Sequence, residues 1–194
     1  MISVCIATYN GEKYIKEQLQ SILQQLSEGD EIIISDDGST DNTIKIIKDL
    51  NDNRIRILQH IKKYYKGFSS SHQYSSSNFE NAIKEAKGEY IFLSDQDDIW
   101  YTYKVKKTLE ILSDKNIYLV MSNYSLINTE GILIKKKMFE KNPISNSNLI
   151  NLIKTPFHGC CITFKKNILK NVLPFPSNLV LHDNWIGFLA KGHI

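Results

Sequence analysis

Three aspartates, Asp95, Asp97 and Asp98, fall within four positions of one another in Ser94-Asp95-Gln96-Asp97-Asp98. Like charges this close repel unless a cation or a set of donors offsets them. Oxygen-only ligands suit Mg²⁺ or Mn²⁺, which keep waters and share their shell with substrate phosphates. Taken alone, the same run also fits a solvated acidic loop whose last aspartate caps a helix. A second acidic run, Asp36-Asp37-Gly38-Ser39-Thr40-Asp41, offers a glycine turn and several helix-capping side chains. An aspartate there can equally accept a hydrogen bond from a nucleobase imide. Thr8-Tyr9-Asn10-Gly11 is a third polar break, and His182-Asp183 opens a late helical pattern in which the aspartate suits the helix dipole.

The elements that must hold these residues are legible from periodicity. Ile2 to Ala7 is a short apolar run that reads as a strand, followed by a helical stripe on Ile15, Leu19, Ile22, Leu23 and Leu26. Glu31 to Ser35, with Ile32-Ile33-Ile34, fits a strand covered on both faces. A helix on Ile44, Ile47 and Leu50, a strand over 54–58 and a helix on Phe79, Ala82, Ile83 and Ala86 follow, the last closed by Gly88 as a C-cap. Tyr90 to Leu93 is the fourth strand. A helix on Val105, Leu109 and Leu112 leads to a fifth strand over Ile117 to Tyr124. The serine-rich stretch from Ser69 to Ser77 reads as a mobile loop ahead of the third helix. Beyond Tyr124, Ile132 to Ile134 and Cys160 to Phe164 look like strands, Asn142 to Asn151 like a polar loop, and His182 to Ala190 like a last helix.

Strand and helix thus alternate through about the first 125 residues, which predicts an α/β fold: a Rossmann-like, doubly wound, mostly parallel sheet with helices on both faces. In such sheets ligands bind outside the carboxyl ends of the strands. The first, second and fourth strands end in Thr8-Tyr9-Asn10, Asp36-Asp37 and Asp95-Gln96-Asp97-Asp98, so the fold alone brings these segments to one edge.

Taken together and in order, the segments Ser3 to Asn10, Ile34 to Asp41, Asn78 to Ala86, Gly88 to Leu93, Asp95-Gln96-Asp97-Asp98-Ile99-Trp100, and His182-Asp183 with Trp185 resemble family 2 glycosyltransferases of the GT-A fold. The Asp-Gln-Asp-Asp-Ile-Trp form is most similar to the bacterial rhamnosyltransferase-like branch. The resemblance implies an inverting enzyme that moves a sugar from a nucleotide diphosphate donor, UDP- or dTDP-linked, to an acceptor hydroxyl in bacterial surface polysaccharide such as capsule or O-antigen. It implies that Thr8, Tyr9, Asn10, Asp36, Asp37, Asn78 and Asp95 bind the donor. It further implies that Asp97 ligates a divalent metal cofactor, Mn²⁺ or Mg²⁺, and that Asp183 is the catalytic base. A saccharide or lipid-linked saccharide would be the acceptor. One domain over 1–194 is expected, with residues 1–125 the nucleotide-sugar half and 126–194 an acceptor-side half cut short at the C-terminus. Two features depart from the family pattern: Thr102 stands where proline often follows the tryptophan, and the serine-rich stretch is long. The shortness leaves a second reading, a nucleotide-sugar-binding domain without catalysis.

Composition narrows the alternatives. Of 24 basic residues only Arg54 and Arg56 are arginine, and net charge is +3. Scarce arginine argues against sequence-specific nucleic-acid binding. Lys62-Lys63, Lys135-Lys136-Lys137 and Lys165-Lys166 are short basic clusters that suit a solvated surface or peripheral contact with an acidic membrane face. Cys5, Cys160 and Cys161 lack zinc or redox spacing and read as small, reduced core residues. His60, His72, His158 and His193 show no metal spacing. With no leader-like or membrane-spanning run, a cytoplasmic protein is expected, peripheral at most to the inner face of the membrane. No arginine-rich loop follows the first strand, unlike sugar nucleotidyltransferases. A phospho-receiver domain would leave His182-Asp183 unexplained.

Overall fold

The computed structural model describes residues 1–61, 70–138 and 157–191. Lys62-Lys63, Ser69, the loop expected over 142–151 and His193 lie outside them. A six-stranded sheet is ordered β3-β2-β1-β4-β8-β5. Its strands are β1 (Ile2–Thr8), β2 (Glu31–Asp36), β3 (Ile55–Gln59), β4 (Tyr90–Ser94), β5 (Leu119–Met121) and β8 (Ile162–Lys165). β1 pairs in parallel with β2 and β4, and β2 with β3. β8 runs antiparallel between β4 and β5, so β5 keeps the direction of the parallel set. A separate two-stranded ribbon joins β6 (Leu126–Ile127) and β7 (Leu133–Lys135).

The alternation of side chains along the apolar strands loads both faces. Val4, Ile6, Ile32, Ile34 and Phe92 pack with Ile15, Leu19 and Ile22 of α1 (Ile15–Leu23), Ile47 of α2 (Thr43–Asp49) and Val105 of α4 (Lys104–Leu112). Cys5, Ile33, Ile91 and Leu93 pack on the other face with Phe79, Ala82 and Ile83 of α3 (Ser70–Lys84), Val172 of α5 (Leu169–Val172) and Ile186 of α6 (His182–Lys191). This is the doubly wound arrangement expected of continuous apolar strands.

Four expectations need correction. The serines from Ser70 to Ser77 are the first half of α3 and not a loop. The Ser76 hydroxyl donates to Val180 O at 2.9 Å, and further along the same helix Asn81 Nδ2 donates to Ser35 Oγ at 2.8 Å. Hydropathy periodicity is silent when a buried helix face is built of serine and asparagine. Gly88 does not cap the third helix, which ends at Lys84. It lies where a Cβ would stand 2.5 Å from the Ser3 backbone nitrogen, so glycine is needed there for close approach of two chain segments. Cys160-Cys161 belong to a 3₁₀ turn, Gly159–Cys161, ahead of β8, and the fifth strand is only Leu119–Met121. An apolar run sets a strand's outer limits; its pairing with Ile162, Thr163 and Phe164 of β8 sets the length.

Candidate active site

The carboxyl edge of the parallel strands gathers most of the singled-out residues. At the end of β1, Thr8 is 1% exposed, and its hydroxyl donates to Gln96 Oε1 at 2.6 Å. The same oxygen accepts the Tyr9 N–H at 3.0 Å, while Gln96 Nε2 donates to Tyr9 O at 3.2 Å. Gln96 therefore ties the loop after β1 to the acidic loop after β4. Tyr9 itself is 48% exposed at this edge. A Cβ on Gly11 would lie 2.5 Å from Gln96 Oε1, so the link is made possible by glycine. Asn10 holds a left-handed φ of 50°, which asparagine tolerates. Its Oδ1 accepts the Thr40 N–H at 2.8 Å, joining the loops after β1 and β2.

At the end of β2 the two aspartates have different duties. Asp36 is buried, and its carboxylate accepts the N–H groups of Gly38 and Ser39, each at 2.9 Å, and the Ser39 hydroxyl at 2.5 Å. It builds the turn that Gly38 completes with a φ of 81°. Asp37 donates its backbone N–H to Thr8 O at 2.9 Å, and its carboxylate meets His60 Nδ1. His60 Nε2 in turn lies 3.0 Å from Ser77 Oγ. Asn78, buried on α3, donates Nδ2 to Thr8 O at 3.4 Å and leaves its Oδ1 buried without a partner.

Beyond β4, carboxylate and thiol atoms of Asp95, Asp98 and Cys160 all lie within 4.8 Å of one another. Burial, and then the negative charges of Asp98, Asp97 and Asp183, push the Asp95 carboxyl up to about 7. Burial also raises Asp98, with the Cys160 thiol and Lys104 pulling the other way. Lys104 donates Nζ to Cys160 O at 3.0 Å and lies 4.7 Å over the Trp100 ring, its own pKa lowered by burial. Asp97 is exposed. Among the described residues, Asp95 feels the charges of Asp97, Asp98 and Asp183 while Lys104 answers Asp98, an imbalance that a divalent cation among hard oxygens would offset.

Asp183 arrives from far along the chain on the first turn of α6. Its Oδ1 accepts the Asn184 N–H at 2.7 Å and Asn184 Nδ2 at 3.1 Å. His182 beside it is buried, stacked on Phe79 with ring centroids 4.4 Å apart. Ser76 spends its proton on Val180 O, so His182 Nδ1, 3.2 Å away, is the donor of that pair. The ring is neutral: burial drives its pKa down to about 4. Its Nε2 is buried without a partner, and a Cβ on Gly159 would lie 3.0 Å from it. The turn bearing Cys160 therefore packs against the start of α6, with Asp183 alongside.

The structure thus unites Thr8, Tyr9, Asn10, Asp36, Asp37, Asn78, Asp95, Asp97 and Asp183 around one sheet edge. It adds Gln96, His60, Lys104 and Cys160. His60 follows directly on β3, so the strand-end logic applied to the other three parallel strands points to it as well. Nothing in sequence pattern marks Cys160, which reaches the acidic loop through the inserted β8.

Relatives share this plan. Among solved structures, S. aureus TarS 1-349 in complex with UDP overlays with a TM-score of 0.72 at 24% identity, over 99% of this chain and 54% of that one. Glucosyl-3-phosphoglycerate synthase of Mycobacterium tuberculosis, in complex with Mn²⁺, UDP and glucosyl-3-phosphoglycerate, gives 0.65 at 19% identity over 97% and 63%. At these identities the likeness shows the fold, GT-A. In sequence, the Shigella flexneri dTDP-rhamnosyl transferase RfbG is 33% identical over 96% of this chain and 65% of its own length. The Escherichia coli glucosyltransferase WfgD, which carries UDP-Glc and GlcNAc-diphosphoundecaprenol in its name, is 28% identical over 100% of this chain and 72% of its own length. The chain spans about two thirds of the length of these sequence relatives. The profile described as Glycosyl transferase family 2 matches residues 3–173, from the first strand through the acidic loop and β8 to just past α5, and on that match the chain belongs to glycosyl transferase family 2.

Proposed function

We propose that this chain carries the donor half and the catalytic base of an inverting glycosyltransferase. It would move a hexosyl or rhamnosyl group from a UDP- or dTDP-sugar to an acceptor hydroxyl during bacterial surface polysaccharide synthesis. The single observation behind this reading is the meeting, at one sheet edge, of Thr8-Tyr9, Asp37, the Asp95–Asp98 loop and Asp183. WfgD and RfbG, whose names carry UDP-Glc and dTDP-rhamnosyl, support the donor class, and the diphosphoundecaprenol in WfgD's name supports a lipid-linked saccharide acceptor.

In this reading Tyr9 offers its exposed ring to the base, Asp37 accepts an imide proton, and Asn78 and Thr8 line the floor. Asn10 and Asp36 shape the pocket from behind by fixing its loops. Asp95 faces the ribose or donor sugar, while Asp97, on the exposed side of the acidic group, would ligate Mn²⁺ or Mg²⁺ with Asp95 and Asp98 close by. A bound divalent ion would supply positive charge against the diphosphate leaving group. Asp183 takes the proton from the acceptor hydroxyl as its oxygen attacks the anomeric carbon from the face opposite the diphosphate, which inverts that centre. His182, neutral and fixed through Ser76, anchors the turn that carries Asp183.

Among the described residues no helix is long and apolar enough to cross a membrane. Contact with a lipid-linked acceptor would be made at the inner membrane face, where the exposed Lys135 and Lys136 suit acidic headgroups. The test is transfer from UDP-glucose or dTDP-rhamnose to a lipid-linked acceptor, with Asp183→Asn alongside. Transfer by the wild type and its loss in the variant, with donor binding retained, support the reading. Equal rates in both would remove Asp183 as the base.

A further inference from the structure

His60 lies outside every motif that carries the family resemblance, yet it is buried in the heart of the donor edge. It follows directly on β3, and its backbone N–H donates to Asp36 O at 2.8 Å, continuing the β2–β3 ladder one step past the strand. Its Nδ1 meets Asp37 Oδ1, and its Nε2 lies 3.0 Å from Ser77 Oγ on α3. The side chains of His60 and Asp37 are each only 6% exposed. Because a carboxylate only accepts, Nδ1 carries the proton in this pair. The next residue of α3, Asn78, reaches Thr8 O, to which Asp37 donates its backbone N–H. Ser77, His60 and Asp37 therefore form a strut from α3 to the strand ends.

A carboxylate's terminal torsion is soft, with a broad, roughly two-fold profile. Asp37 holds one direction only if a partner with its own fixed orientation grips it, and a ring clamped at both nitrogens supplies that. We propose that His60, clamped by Ser77, is a positioning residue that aims the Asp37 carboxylate at the imide N–H of a uracil or thymine nucleotide. This rests on the reading of the strand-end edge as a nucleotide site. A base without that proton gains nothing from the alignment, so His60 contributes to discrimination between bases.

The test measures Kd by calorimetry, in Mn²⁺, for UDP and for its N3-methyl analogue, which lacks the imide proton. The proteins are wild type, Asp37→Ala, Ser77→Ala, His60→Asn and His60→Gln. Asparagine brings an amide nitrogen near the position of Nδ1, and glutamine near that of Nε2, at similar cost to packing. Wild type is expected to prefer UDP by about tenfold or more, the worth of one charge-assisted hydrogen bond. His60→Asn should keep most of that preference, Ser77→Ala should lose part, and His60→Gln and Asp37→Ala should lose it. A purely structural His60 would weaken both ligands equally in both His60 variants and leave the ratio intact, which overturns the proposal. Should the His60 variants fail to fold, an unchanged ratio in Ser77→Ala overturns it instead. Failure of the wild type to bind either nucleotide overturns the donor-site reading and this inference together. An Asp37-dependent ratio that ignores His60 and Ser77 overturns this inference alone.

Discussion

Replacing Gln96 with alanine should separate the base end of the site from its acidic end. The side chain accepts from the Thr8 hydroxyl at 2.6 Å and the Tyr9 N–H at 3.0 Å, and donates to Tyr9 O at 3.2 Å. Thr8 is 1% exposed, so its hydroxyl loses its partner with little water to replace it, at about 1–3 kcal/mol. The Tyr9 backbone groups are at an exposed position and can turn to solvent, so they add about 0.5–1 kcal/mol each. A total near 3 kcal/mol corresponds to a fall in Tm of roughly 6–12 °C for a domain of this size. Thermal unfolding followed by circular dichroism measures it. Gly11→Ala attacks the same link from the other side, because its Cβ would lie 2.5 Å from Gln96 Oε1. It should destabilise on its own and cost much less in the Gln96→Ala background, where the obstructing atom is gone. Both single variants melting within about 2 °C of wild type, or strictly additive effects, would refute the idea that Gln96 joins the two loops.

Other perturbations have definite expectations. Asp97→Ala, or chelation of the wild type, should abolish metal-dependent nucleotide binding as read by calorimetry; unchanged Mn²⁺ dependence in the variant would remove Asp97 as a ligand. His182 is neutral in the folded protein down to about pH 4 but takes a proton in the unfolded chain below about 6.5. The unfolded state therefore binds more protons in that window, and His182 subtracts stability as pH falls through it, by up to ~1.4 kcal/mol per pH unit. Asp95 contributes the opposite slope over an overlapping range, so the difference between wild type and His182→Asn in urea melts from pH 7 to 4 isolates the histidine. Parallel slopes for the two proteins would show that His182 is not held neutral. Gly187→Ala puts a Cβ 2.5 Å from the buried Phe157 ring, and overpacking there should cost about 1–3 kcal/mol in the same melts.

Much of the architecture is legible in the sequence because it depends on apolar periodicity. Ile32-Ile33-Ile34 fits a strand covered twice, and the polar residues that end β1, β2 and β4 mark the edge where ligands bind in such sheets. What escapes is structure built from small polar residues. Ser76, Ser77 and Asn78 carry no hydropathy signal, yet they are the part of α3 that reaches α6, His60 and Thr8. The placement of β8 escapes for another reason: its apolar run is legible as a strand, but its antiparallel insertion between β4 and β5 is a long-range pairing, and it brings Cys160 to Asp98 with no local mark. The split between Asp36 and Asp37 also needs coordinates, since adjacent aspartates look alike until one is seen to hold a turn and the other a histidine.

The most direct test of the account is a binding measurement on the whole chain: UDP and dTDP, each with Mn²⁺ and with EDTA, for wild type and Asp37→Ala. The account predicts binding of a uracil or thymine diphosphate that requires the metal and is weakened by Asp37→Ala, while CDP, whose base carries no proton at N3, binds poorly. Binding that ignores both Mn²⁺ and Asp37, or no binding by the folded wild type, would contradict it.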